Sequence, residues 1–142
     1  MKIASELFKN GYNCAQAVFC AHCEELGLDY ETGLKISSSF GGGMGRLREV
    51  CGALTAAFML LGLKNGYTEA DNDVIKEKHY AKIQEIAKKF KNEFGSIICR
   101  ELLNVYDEKI SPKPTQRTSD FYESRPCLKF VEFVDEILKE EL

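Results

Sequence analysis

Apolar residues recur along this chain at the three-to-four-residue spacing of helices, and polar breaks punctuate them. A short helix is expected over about 2–9, stopped at Gly11. Asn13 is placed to cap a second helix that runs to about Leu26 and ends at Gly27. A third segment, Tyr30 to Ser39, runs into the glycine-rich stretch Gly41-Gly42-Gly43-Met44-Gly45. The fourth helix, roughly 48–63, is apolar nearly all round (VCGALTAAFMLLGL). It should be the buried centre of the fold, with Gly66 closing the turn after it. A long amphipathic helix follows over about 69–93, with the stripe Ile75, His79, Ile83, Ile86, Phe90 and Phe94. Gly95 and Ser96 break it, and Ser96 is placed to cap a short helix through Leu103. Asp107 to Arg125 is polar, carries Pro112 and Pro114, and reads as a long irregular loop. Pro126 suits the first position of a last helix, 126–140. Only Leu34 to Phe40 raises the question of a strand. The expected fold is all-α, one helical bundle over residues 1–142.

Length and charge narrow the partners. The 142 residues suffice for one domain with its own core, and the net charge of −3 gives a nucleic-acid partner no electrostatic support. No basic run suggests a membrane surface, and the longest apolar run, Val50 to Leu63, is shorter than the roughly 20 residues of a membrane helix. The first residues carry Glu6 and Lys9 where a signal peptide would be apolar. A cytoplasmic location is therefore expected, and there thiols stay reduced. In that setting six cysteines point to metal or redox chemistry over structural disulfides.

Four of the six share one setting. Cys14 follows the cap Asn13, Cys51 stands in the first turn after the glycines, Cys99 follows Ser96, and Cys127 follows Pro126. At a helix start the free N–H groups and the dipole favour an anion, and a thiolate is the reactive and metal-binding form. Arg46, Arg48, Arg100 and Arg125 stand nearby in the chain. Each cysteine also heads an apolar face, as a merely packed cysteine would, but four in one setting weigh against packing alone. Cys51, beside Arg46 and Arg48, is the expected most reactive thiol. Cys20 and Cys23 form C-A-H-C about two turns inside a helix. Glu24 stands where haem attachment would need histidine, and no second pair gives zinc-finger spacing, so they read as accessory thiols. The glycine run matches no nucleotide-binding pattern. His79 on an apolar stripe reads as a core histidine, and no Glu-x-x-His pair supplies a di-iron site.

In order and spacing these residues resemble a redox-active family named for its cysteine pattern, the C-GCAxxG-C-C proteins. The match reads N-C-A-Q-A-V at Cys14, F-G-G-G-M-G-R over 40–46, V-C-G-A-L-T-A over 50–56, I-C-R-E-L-L at Cys99 and R-P-C at Cys127. Ala56 stands where the family pattern has glycine, and Cys20 and Cys23 fall outside it. The resemblance implies redox activity through the four pattern cysteines. A related domain in split-Soret cytochromes ties such cysteines to an iron–sulfur centre, an analogy that favours a cluster.

Three functions follow. In the first, Cys14, Cys51, Cys99 and Cys127 hold an iron–sulfur cluster for electron transfer. In the second, two of them cycle between dithiol and disulfide. In the third, they hold a structural zinc. The first two make the chain an oxidoreductase or electron carrier that works with an unidentified redox partner protein. A homodimer through helix 126–140 is compatible with the pattern.

Overall fold

In the computed structural model, which describes residues 2–106 and 109–142, every regular element is helical. The order is α1 (Ala4–Lys9), α2 (Cys14–His22), a 3₁₀ turn (Glu24–Leu26), α3 (Tyr30–Ser38), α4 (Gly52–Asn65), α5 (Asp73–Phe94), α6 (Cys99–Leu103), α7 (Ser119–Ser124) and α8 (Cys127–Glu141). The all-α expectation holds. Among the described residues the sole β-type contact is an isolated antiparallel bridge, Val50 to Ile98, and no helix is long and apolar enough to cross a membrane.

Local chemistry sets the boundaries. Asn13 caps α2 by accepting from the Gln16 amide at 2.8 Å, while the Gln16 side chain accepts from the Asn13 amide. This reciprocal pair satisfies two of the donors a helix start leaves open. Asp29 caps α3 through the Thr32 amide, and Asn72 caps α5 through Ile75. The doubtful segment 34–40 is the end of α3 and the turn after it.

α4 is central, as its apolarity implied. Gly52 through Ala57, Leu60 and Leu61 are buried, and α4 packs on α2, α8 and α5. Ala56, where the family pattern has glycine, is fully buried and accommodated. α8 turns Phe130, Val131, Val134 and Leu138 into the same core. From α5 only Ile86 and Phe90 are buried. In its first turns Val74 and Ile75 are exposed, and His79 stands half-buried against the edge of Tyr67.

Three expectations shift. α4 begins at Gly52, not near 48, because residues 42–46 wind left-handed. Gly42, Gly43, Met44, Gly45 and Arg46 all have φ between 56° and 71°, and Arg48 has 61°. The chain from Glu49 to Cys51 is instead non-helical and tied to the segment before α6 through the Val50–Ile98 bridge. Cys99 donates to the Glu49 carbonyl at 2.6 Å and Cys51 to the Ile97 carbonyl at 2.9 Å. Second, Ser96 caps a turn at the Ile98 amide, and α6, five residues long, starts later at Cys99. Third, the expected loop over 107–125 contains α7, capped by Thr118 at the Phe121 amide. The first two residues of that loop, Asp107 and Glu108, lie outside the described residues.

Candidate functional site

Four chain segments bring their cysteines to one space. A cavity of about 490 Å³ is lined by Cys14, Cys51, Cys99 and Cys127, together with Arg46, Arg48, Arg117 and Arg125. Cys14, Cys99 and Cys127 are the first residues of α2, α6 and α8, and Cys51 is the residue before α4. All six cysteines are free thiols. Cys20 and Cys23 are not part of this cavity. They are 1% and 0% exposed, their sulfurs face one another and α3, and they pack against Gly33, as fits thiols that fill the α2–α3 seam.

The glycines of the 41–52 stretch allow the close approach. A Cβ on Gly52 would stand 2.7 Å from the Cys14 sulfur and 2.7 Å from the Phe40 carbonyl oxygen. One on Gly43 would stand 2.6 Å from Cβ of Cys99. The start of α2 thus seats directly on the start of α4, and the left-handed turn seats on Cys99. Gly43 also takes its positive φ without the cost a side chain would add. The turn delivers Arg48, 5% exposed, to Cys99, where its Nη1 lies 3.8 Å from the sulfur.

The acidity of these thiols departs from the expectation. Burial pushes Cys51 well above the ordinary thiol range, with Cys14 and Cys99 adding repulsion. The Ala53 and Leu54 amides of α4 pull the other way and lose. Cys127 is pushed up to about 12 by burial and by the neighbouring Cys14 and Cys99, against Arg125 and Arg117. Cys99 is raised by burial, with Arg48 opposing. The helix starts stabilise an anion by a fraction of a kcal/mol to about 2 kcal/mol, while taking a charge out of water costs several. Desolvation therefore wins. Cys51, expected to be the most reactive thiol, is 4% exposed and held protonated. Cys14 is half-buried and is the common neighbour of Cys51, Cys99 and Cys127.

One wall of the cavity is a strap, residues 111–117. Arg46 holds it by donating to the Ser111 carbonyl at 3.0 Å and to the Thr115 hydroxyl at 3.0 Å. Arg117 donates to the carbonyls of Phe8 and Tyr12 and lies over the rings of Phe8 and Phe121 at 4.5 and 4.7 Å. Sequence reasoning singled out Arg46, Arg48 and Arg125 but not Arg117. A lone arginine in a polar stretch carries no periodic signal. Arg100 turns away from the cavity to the Leu47 carbonyl.

The donor set suits a metal; its spacing does not. Among the described residues no three His, Cys, Asp or Glu side chains stand close enough together to hold an ion. A four-thiolate zinc needs each sulfur about 2.3 Å from the metal, and that arrangement is not preformed. The expected single-ion zinc site is therefore not preformed among the described residues.

The family described as "Putative redox-active protein (C_GCAxxG_C_C)" matches residues 12–141 of the chain. No curated protein matches, and no solved structure does.

Proposed function

The chain belongs to the redox-active family defined by this cysteine pattern, and from that premise we propose that it works by thiol–disulfide exchange in the four-cysteine cavity. The observation that carries the reading is that thiols from four separate segments line one space, with the half-buried Cys14 neighbouring the other three. The Cys14 thiolate attacks one sulfur of an incoming disulfide, forms a mixed disulfide and releases the first leaving thiolate. The Cys51 thiolate, its proton passed to that leaving group, then attacks the Cys14 sulfur. A Cys14–Cys51 disulfide forms and a second thiolate leaves. The protein loses two electrons and two protons, and the small disulfide gains them. A partner dithiol reverses the cycle.

The weakened acidity of the three buried thiols fits this order. A buried thiol that stays protonated is protected from casual oxidation and becomes a nucleophile only when a mixed disulfide sits beside it. The test is anaerobic. Fully reduced protein is treated with one equivalent of a small disulfide, and thiols are counted and disulfide-linked peptides mapped by mass. Loss of two thiols with a Cys14–Cys51 linkage is expected. Six surviving thiols would sink the reading.

The four-cysteine donor set favours one second reading, an iron–sulfur cluster bound by Cys14, Cys51, Cys99 and Cys127. Iron and sulfide in stoichiometric amount, with visible absorbance, in anaerobically purified protein would select it over the thiol reading. Stoichiometric zinc alone would select the structural-metal alternative.

A further inference from the structure

We propose that the cavity selects small disulfides carrying negative charge, an inference that rests on the thiol–disulfide reading above. The chain as a whole is acidic at −3, yet four arginines line this space and no Asp or Glu does among the described residues. Arg46 and Arg48 make further contacts of their own, so the argument stands on Arg117 and Arg125. The partners of Arg117 are carbonyl oxygens, a tyrosine hydroxyl and aromatic rings, all neutral. Arg125 lies over the ring of Phe121. Neither forms an ion pair among the described residues. Nearby carboxylates, Glu49, Glu101, Asp120 and Glu123, are exposed, where water screens them.

Three of the four thiols do not offset this charge at rest. Cys51, Cys99 and Cys127 are held protonated by burial. The cavity volume, about 490 Å³, lies in the range of small-molecule sites. A concave, partly dry space of one sign concentrates ligands of the other sign. The exchange also releases two thiolates beside these guanidiniums, and the same charges stabilise the leaving groups. A disulfide whose ends are carboxylates is thus favoured on entry and as it leaves, while one whose ends are ammonium groups is opposed.

The experiment compares three disulfides of similar size on the reduced, full-length protein. These are dithiodipropionate (dianionic), hydroxyethyl disulfide (neutral) and cystamine (dicationic). Each rate is divided by that of the urea-unfolded chain, which cancels the difference in leaving groups. At low ionic strength the normalised anion-to-cation ratio should be about tenfold or more, falling toward one as salt screens the field. Arg125→Gln, at a half-buried position, should lower the ratio. A ratio near one at low salt, or one indifferent to salt, overturns the inference while leaving the exchange reading intact. If the folded chain reacts with none of the three, the exchange reading itself fails. The charge preference is then read from alkylation by iodoacetate against iodoacetamide, normalised in the same way, and equal normalised rates overturn it.

Discussion

Gly52 and Gly62 lie in one helix, and alanine at each should move stability in opposite directions. In a helix interior, Gly→Ala stabilises by about 0.5–1 kcal/mol when the methyl group has room. At Gly62 a Cβ meets nothing within 4 Å, so the full gain is expected. At Gly52 the same methyl meets the Cys14 sulfur and the Phe40 carbonyl oxygen, both at 2.7 Å, and the Ala15 amide nitrogen at 3.2 Å. Two of those three atoms are backbone and cannot rotate aside. Overpacking of this kind costs about 1–3 kcal/mol, which leaves Gly52→Ala about 1–2 kcal/mol less stable than the parent. Urea unfolding reads this directly. With a slope of about 1–3 kcal/mol per molar, the midpoint should fall by roughly 0.5–1 M for Gly52→Ala and rise for Gly62→Ala. Because one obstacle is the Cys14 sulfur, Gly52→Ala should cost less in a Cys14→Ala background, with a coupling of about 0.5 kcal/mol or more. Midpoints that rise together would refute the seating of α2 on α4, and with it the adjacency of Cys14 and Cys51.

Three further outcomes are expected. Cys127, pushed up to about 12, keeps its proton in the folded chain above the pH at which the unfolded chain releases it. Its contribution to stability is therefore whole below about pH 8.5 and lost as pH rises toward 12, at up to about 1.4 kcal/mol per pH unit. Urea midpoints measured from pH 8 to 10.5 under reductant should fall less steeply for Cys127→Ala than for the parent, and parallel slopes would contradict the burial of that thiol. Replacing Cys20 and Cys23 together by alanine should leave disulfide exchange unchanged in thiol count and linkage, and should cost about 1–3 kcal/mol of stability through lost packing. Loss of exchange in that folded variant would move the redox chemistry to the α2–α3 seam. Arg46→Gly removes the two bonds that hold the strap and relieves a side chain at φ 66°. Labelling of the cavity thiols should quicken several-fold with a change in urea midpoint worth no more than about 1 kcal/mol, and an unchanged labelling rate would show that the strap does not limit access.

The helices that could be read in advance are those whose caps and apolar faces agree. α2, α5 and α8 each carry a local signal, a cap, a glycine stop or an opening proline, beside a periodic stripe, so tertiary packing had nothing to overrule. α7 went unread because Thr118 is one hydroxyl among many in a polar stretch. Only its packing, with Phe121 and Tyr122 against Phe8 and Arg117, marks it as ordered. The misplaced start of α4 has a different cause. Apolarity runs continuously from Val50, but the five-residue left-handed turn beginning at Gly42, followed by a left-handed Arg48, keeps Glu49 through Cys51 out of the helix, a geometry that composition does not encode at Met44, Arg46 or Arg48. The cysteines show the same division. Their position at helix starts was readable, since caps and prolines are local. Their acidity was not, because it follows from how much water the assembled walls remove. The sign of that effect reverses between an exposed helix start, which favours a thiolate, and a buried one, which keeps the thiol neutral. An arginine-walled space around three thiols kept neutral by burial is therefore a property of the packed bundle. It is why the cavity, more than any single cysteine, is where the chemistry of this chain should be sought.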